Sequence, residues 1–476
     1  MSTRREGDSL GEVELPEDAY YGSFTARAAH NFDITGRGVD IRLLYAIAEV
    51  KKAAARVNAA SDDLDGEKAD AIVQAVDELQ DGEFDDAFVL DAIQAGAGTP
   101  MHMNVNEVLA NRATELLDGS KGEYRVHPND DVNMGQSTNN VVPTALRLAL
   151  LDATDELLDA VDALADAFRG LEDEYDGTVK VGRTHLQDAV PVTSGQEFGA
   201  WATLCQNGVE RIEKAREELL ELGIGGNAVG TGINTEPSFR EALVDQLREQ
   251  VDRPLRVTED NIAMTQSMAP FASVASVIES WVLDMMKVAD DVMLLGSGPK
   301  AGLAELDLPE VEPGSSIMPG KVNPSITEAF KMSCIQALGD ERAVSAAAKE
   351  GDLEMNVNAP VIAHNLLEMV SVLRNATEMW RTECVEAIAV DEDRASELFD
   401  ASTAVATALS PYIGYDRTAE AVHRALEEDR SVRDVVADEG WMTEDELDTV
   451  LQPDRMTGPH GIDKKLREQV RERLED

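Results

Sequence analysis

Gly314-Ser315-Ser316-Ile317-Met318-Pro319-Gly320-Lys321-Val322-Asn323-Pro324 is the stretch that decides how this chain is read. It combines backbone freedom, from two glycines and two prolines, with two hydroxyls, one ammonium and one carboxamide. No acid interrupts it, although the chain as a whole carries a formal charge of −50. A segment that keeps Lys321 and Asn323 beside two hydroxyls is suited to hold an anion, because free backbone N–H groups and a point cation converge there.

The bulk composition sets the frame. At 476 residues, 43% of them hydrophobic, the chain has material for an ample core and about two to four domains. Asp and Glu total 92 against 42 Lys and Arg. Such a balance can signal disorder, but the acids here alternate with apolar residues at helical spacing, and runs such as Asp62-Asp63-Leu64-Asp65 and Glu427-Glu428-Asp429 read as solvated helix ends and loops. The acidity disfavours nucleic acid as a partner, since phosphate binding needs a basic face. Cys205, Cys334 and Cys384 stand far apart, as buried free thiols in a reducing compartment do. The N-terminus lacks a secretory apolar stretch and no uncharged apolar run reaches about 18 residues, so a cytoplasmic protein without a membrane span is expected. Met268 to Met286 is broken by Pro270, Glu279 and Asp284 and reads as a core helix.

Helical periodicity runs almost throughout. Leu157, Val161, Leu164, Phe168 and Leu171 form an apolar seam, with Pro143 read as a first-turn proline opening that helix. Further long helices are predicted over 270–295, 328–349 and 361–389. The fold class expected is mainly α, a central bundle of long helices, and seams of this length predict a homo-oligomer. Boundaries are placed to give an N-terminal mostly helical domain over 1–134, a central long-helix bundle over 135–392 and a small helical domain over 393–476.

Four more polar segments precede the loop. In GAGTPMHMNVNE (96–107), Gly96 and Gly98 permit a tight turn and Thr99 adds a hydroxyl; a plain Gly-rich helix entry fits equally. His127, Asn129 and Asp130 surround Pro128, as in an Asx-turn loop or a binding loop. Gln136-Ser137-Thr138-Asn139-Asn140 puts hydroxyls and amides at a helix start, where capping and anion binding coexist. In Gly182-Arg183-Thr184-His185-Leu186-Gln187-Asp188, His185 reads either as a satisfied core histidine or as a general acid/base. No HExxH or GK[ST] pattern occurs.

Taken in order, GAGTPMHMNVNEVLANRA, VHPNDDVNMGQSTNN, GRTHLQDAVPVTSGQE, GGNAVGTGIN and the 314–324 loop resemble the fumarase/aspartase superfamily over nearly the whole chain. The resemblance implies a three-domain helical subunit, a homotetramer whose active sites are shared between subunits, and a small dicarboxylate substrate handled without metal or other cofactor. It implies that Thr99, Ser137, Thr138, Asn139, Thr184, Ser316, Lys321 and Asn323 hold the two carboxylates, that Ser315 is the base, and that His185 with Glu328 serves the hydroxyl-leaving side. It also implies a secondary dicarboxylate site at His127, Asn129 and Asp130, with Arg125 as a basic companion. The implied reaction is reversible hydration of fumarate to malate, an anti addition and elimination through an aci-carboxylate carbanion, as in class II fumarases of the tricarboxylic acid cycle.

Pro319-Gly320-Lys321 and His185-Leu186-Gln187-Asp188 resemble the fumarase branch. Ser137-Thr138-Asn139, Tyr20-Tyr21-Gly22 and Val50-Lys51-Lys52-Ala53-Ala54-Ala55 resemble aspartases, while Asn140, Ala97 and Asn227 depart from common fumarase letters. The alternative reading is therefore aspartate ammonia-lyase; a third is a catalytically silent structural member. The acidic surface repels itself at low ionic strength, and at about 1 M salt the screening length falls to about 3 Å. A salt-adapted protein, as in a halophile, is expected. Its melting temperature should rise with KCl up to molar concentration; a flat or falling curve contradicts the expectation.

Overall fold

The computed structural model describes residues 2–314 and 317–475. Ser315 and Ser316, named above as base and carboxylate ligand, lie outside the described residues. Helix dominates, as the periodicity predicts. The five longest helices are Thr138–Glu174, Ser194–Arg216, Ala269–Leu295, Ser325–Lys349 and Ala359–Glu383. Two antiparallel hairpins, Thr3–Asp8 with Gly11–Pro16 and Val179–Thr184 with Gln187–Thr193, stand beside two pairs of two-residue strands.

The chain divides into two compact units. One comprises Met1–Asp159, Gly208–Val282 and Ser333–Asn375; the other comprises Ala160–Asn207, Leu283–Met332 and Ala376–Asp476. In the first, Ile41–Ala60 packs on Gly66–Gln80 and buries Leu44, Ile47, Ala48 and Ala55. Gly208 lets the Ser194–Arg216 helix approach Ala269–Leu295 closely, since a Cβ there would lie 2.2 Å from Trp281 Cδ1. The Arg147 guanidinium, itself buried, sits 5.0 Å from the Phe271 ring centroid. In the second unit, Trp380 stacks on Phe330 with centroids 4.3 Å apart, and Phe168 meets Trp380 and Trp201 edge-on at 5.9 and 5.6 Å. The indole N–H of Trp380 donates to Thr327 Oγ1 at 3.1 Å, so the ring's polar atom is satisfied inside the core. A separate small core in this unit gathers Leu409, Tyr412, Ile413, Val435, Val436, Leu447 and Val470.

The predicted seams are buried. Leu157, Val161, Leu164 and Phe168 have no exposed surface, nor do Phe271, Val274, Ile278, Trp281, Met285 and Val288. Val372, placed on the apolar side of its helix, is half-buried. The helices predicted from 328 and 361 begin slightly earlier, at Ser325 and Ala359, and two other boundaries differ more. Pro143 lies inside the Thr138–Glu174 helix instead of opening it; the helix begins earlier because Ser137 caps it, its carbonyl accepting from the N–H groups of Asn140 and Val141. The helix predicted to reach residue 389 ends at Glu383, because Cys384 leaves helical geometry and Ala389–Val390 pairs with Leu306–Asp307. All three cysteines are buried, and burial pushes the Cys205 thiol up to about 12.

Phe330 is fully buried and its ring faces the Trp380 indole. Truncation by Phe330→Ala removes that contact and leaves a cavity, which should cost about 3–5 kcal/mol. Denaturant unfolding followed by tryptophan fluorescence measures this; an unchanged midpoint contradicts the role given to the stack.

Candidate active site

In the first unit the sequence segments around Thr99 and Thr138 converge. The turn before the Thr99–Leu116 helix runs through Gly96, Ala97 and Gly98 at φ +79°, +57° and +89°. A Cβ on Gly98 would come within 3.3 Å of both Val142 methyls, so glycine serves the close approach as well as the left-handed backbone. Thr99 Oγ1 donates to the Gly96 carbonyl at 2.7 Å and lies 3.3 Å from Thr138 Oγ1. Ser137 Oγ accepts from the N–H of Asn139 at 3.4 Å, and Asn139 Nδ2 donates to the Ala228 carbonyl at 2.6 Å. Thr99, Ser137, Thr138 and Asn139 remain half-buried, open enough for a ligand at a helix N-terminus. Asn227 and Ala228, in the GGNAVGTGIN stretch, both hold positive φ near +36° and +37°, a conformation that non-glycine residues adopt only under constraint.

Two residues of this cluster were not singled out from sequence as site residues. His102 Nδ1 lies 2.7 Å from Thr138 Oγ1, and its Nε2 lies 2.5 Å from Lys51 Nζ. Lys51 also donates to Asn133 Oδ1 and Gln136 Oε1, both at 2.8 Å. Burial pushes the Lys51 ammonium and the His102 imidazole toward their neutral forms, and the neighbouring Lys51 adds to the effect on His102. The available signal was a lysine on the stripe Leu44, Ile47, Ala48, Lys51, Ala55, where every other member is a buried apolar residue.

The His127 group is a local cap. His127 Nδ1 accepts from the N–H groups of Asn129 and Asp130 at 3.3 and 3.1 Å, while Asp131 accepts from the His127 N–H at 2.7 Å and from Lys68 at 2.8 Å. Arg125 donates to the Leu117 carbonyl at 2.6 Å. The turn is thus capped by the His127 ring and not by an Asn or Asp side chain, as an Asx turn would be.

In the second unit, Thr184 and His185 stand at the tip of the Val179–Thr184/Gln187–Thr193 hairpin, exposed. Thr184 pairs with Gln187, which leaves a two-residue turn with His185 at φ +56° and Leu186 at φ +60°. Such a turn requires positive φ at both central residues and is ordinarily filled by Asn or Gly. Here a histidine and a leucine accept the strain, and Leu186 is 71% exposed. The hairpin is held from beneath by Glu305, which is 1% exposed and accepts two bonds from Arg183, at 2.7 and 3.1 Å, and an ion pair from Lys180 at 2.9 Å. Lys180 pairs also with Glu197 at 2.6 Å. Burial raises the Glu305 carboxyl, but Arg183 and Lys180 outweigh it and hold the group below the usual carboxylate range.

The 314–324 loop belongs to the same unit. Gly320 takes φ +81°, and a Cβ on Gly314 would lie 2.1 Å from the Lys321 carbonyl oxygen, so both glycines are demanded by the backbone path. Lys321 Nζ donates to Asn323 Oδ1, which places cation and amide side by side. Glu328 is half-buried in the first turn of the Ser325–Lys349 helix. Among the described residues no hydrogen bond joins it to His185.

The buried Glu305 pair generates a test. Glu305→Gln leaves Arg183 and Lys180 without their shared carboxylate and should destabilise by about 3 kcal/mol at neutral pH. The folded-state pKa of Glu305 is depressed, so its contribution is complete above the ordinary carboxylate pKa and is lost as pH falls through the lower folded value. The gap in unfolding midpoint between wild type and variant should therefore narrow in acid; a gap independent of pH contradicts the assignment.

Comparison with known proteins bears on the family and the fold. Residues 11–339 match the family described as "Lyase", and residues 405–458 match "Fumarase C C-terminus". The chain is 40% identical over 466 residues to aspartate ammonia-lyase of Bacillus subtilis (strain 168), covering 98% of each chain. It is 43% identical over 455 residues to class II fumarate hydratase of Halobacterium salinarum, covering 95% of this chain and 97% of that one. The crystal structure of recombinant class II fumarase from Schistosoma mansoni superimposes with a TM-score of 0.93 at 35% identity, covering 97% of this chain and 100% of that chain. No helix among the described residues is long and apolar enough to cross a membrane. With the order of motifs, the glycine-dependent loop and the helical frame all in agreement, the chain belongs to the fumarase/aspartase superfamily of lyases.

Proposed function

We propose that this chain is a class II fumarate hydratase, interconverting malate with fumarate and water. In the dehydration direction the Ser315 alkoxide takes the proton from malate C3. The electron pair moves onto the adjacent carboxylate, giving an aci-carboxylate with a second negative charge. Lys321, Asn323 and loop N–H groups meet that charge without reorganising. The C2–O bond then breaks on the opposite face, and His185 gives the departing oxygen a proton so that it leaves as water. Glu328 orients His185 when a second copy of the chain completes the site, in a cytoplasmic homotetramer. Thr99, Ser137, Thr138, Asn139, Thr184 and Ser316 hold the carboxylates. His127, Asn129 and Asp130 form the secondary dicarboxylate site. The domains divide at 1–134, 135–392 and 393–476.

The observation that carries hydration over deamination is His185 on its strained, propped hairpin tip. Hydroxide is a poor leaving group and needs an acid, whereas the ammonium of aspartate departs as neutral ammonia without one. A proton donor held at that tip therefore favours the elimination of water. Ser137-Thr138-Asn139 and the likeness to aspartate ammonia-lyase of Bacillus subtilis favour the second reading, elimination of ammonia from aspartate.

Absorbance in the fumarate band, followed first with malate and then with aspartate, separates these readings. Turnover of malate alone supports the hydratase; ammonia release from aspartate supports the second reading; neither supports a silent scaffold. Ser315→Ala should lower malate turnover by roughly 10²–10⁴-fold with assembly intact. A near-normal rate removes Ser315 from the base role.

A further inference from the structure

The proposed chemistry leaves one buried polar chain unused. Lys51 Nζ, fully buried, is surrounded by His102 Nε2, Asn133 Oδ1 and Gln136 Oε1 at 2.5, 2.8 and 2.8 Å. The amide orientations are fixed from the other side. Asn133 Nδ2 donates to the Gln136 carbonyl at 3.3 Å, and Gln136 Nε2 donates to the carbonyls of Val132 and Met134 at 3.1 and 3.2 Å. Both amide oxygens must therefore face the lysine. Across the imidazole, Nδ1 reaches Thr138 Oγ1 at 2.7 Å. The next hydroxyl, Thr99, already donates to the Gly96 carbonyl at 2.7 Å.

Two proton arrangements satisfy these distances, and they differ at the ligand end. If Lys51 is an ammonium, it donates to all three neighbours and Nε2 is an acceptor. Nδ1 then carries the ring proton and donates to Thr138, whose own hydroxyl hydrogen is free to point outward. If Lys51 is a neutral amine, it accepts from Nε2–H, the imidazole Nδ1 accepts the Thr138 hydrogen, and Thr138 meets a ligand with lone pairs. Only the first arrangement welcomes a carboxylate. Either form fills its contacts: an ammonium donates to all three neighbours, and an amine donates to the two amide oxygens while accepting from Nε2–H. Burial opposes the charge on Lys51, and a carboxylate bound at Thr138 favours it, since only the ammonium arrangement turns a donor outward. Burial keeps the imidazole uncharged, as a one-proton relay requires.

We propose that Lys51 and His102 are positioning residues: the buried ammonium selects the His102 tautomer, and that tautomer turns the Thr138 hydroxyl outward as a hydrogen-bond donor to a substrate carboxylate. This rests on the dicarboxylate reading above but not on whether water or ammonia leaves, because fumarate is common to both reactions.

The test is ¹⁵N-histidine NMR of the full-length protein with fumarate; the chain has only 7 histidines, and His102→Asn assigns the signal. The expected result is a neutral ring protonated on Nδ1. A ring protonated on Nε2, or on both nitrogens, overturns the proposal, and this reading needs no variant at Lys51. Lys51→Met should move the proton to Nε2 and raise KM for the four-carbon diacid by about tenfold or more, with kcat changing less, because Thr138 grips ground state and transition state alike. In the His102→Asn background the same Lys51→Met change should have little further effect. A folded Lys51→Met protein with unchanged KM, or additive effects in the double variant, overturns the relay. Failure to bind fumarate at all would count against the proposed function, while the ring tautomer would still decide the direction of the hydroxyl.

Discussion

The proposed substrate is a dianion and the chain that would hold it is itself strongly anionic, and this constraint organises the proposal. With 92 acidic against 42 basic side chains, the general field opposes the substrate. Under the proposal local donors outweigh it; the candidates sit at helix starts, turns and loops, in one unit at the Thr138 helix start and the Gly96–Gly98 turn, in the other at the Thr184–His185 hairpin tip and in the loop carrying Lys321 and Asn323. Two of these places are stiffened from behind by something buried. Glu305 anchors Arg183 directly before the hairpin tip, and Lys51 stands behind His102 and Thr138. Under the proposal, the groups that would touch the ligand can stay partly open because the residues that orient them are buried.

The helical frame supplies the rigidity this needs. Aromatic contacts among Phe168, Trp201, Phe330 and Trp380 tie four of the long helices together within one unit, and the close approach at Gly208 and Trp281 joins two in the other. Their ends carry the polar segments. Turns with positive φ at His185, Leu186, Asn227 and Ala228 are tolerable only on such a scaffold, since non-glycine residues reach that region at a cost of order 1–3 kcal/mol each.

Much of this was legible in the sequence. The buried seams repeat at helical spacing, and their residues proved to be core because hydrophobic periodicity is a local signal. The motifs Thr99, Ser137–Asn139, Thr184–His185 and Lys321–Asn323 were readable because each concentrates polar groups beside turn formers. What escaped depends on contacts between distant segments. His102 lies inside a quoted motif, yet its link to Lys51 spans 51 positions and has no sequence signature. Glu305 likewise looks like one more surface acid in an acidic chain until Lys180 and Arg183 close around it. The early end of the helix at Glu383 was hidden because the apolar pattern continues through Val385 and Ile388 into a strand that pairs with Leu306–Asp307.

Relatives named as fumarate hydratase and as aspartate ammonia-lyase match the chain at similar identity, and the chemistry explains why they should. Proton abstraction beside a carboxylate is common to both reactions, and so is the anion-holding loop; the two part only at the leaving group. The decisive measurement is therefore a competition in one tube: the protein with fumarate and ammonium together in D₂O, followed by NMR. The account predicts malate carrying one deuterium at C3 and no aspartate. Deuterated aspartate without malate would contradict it.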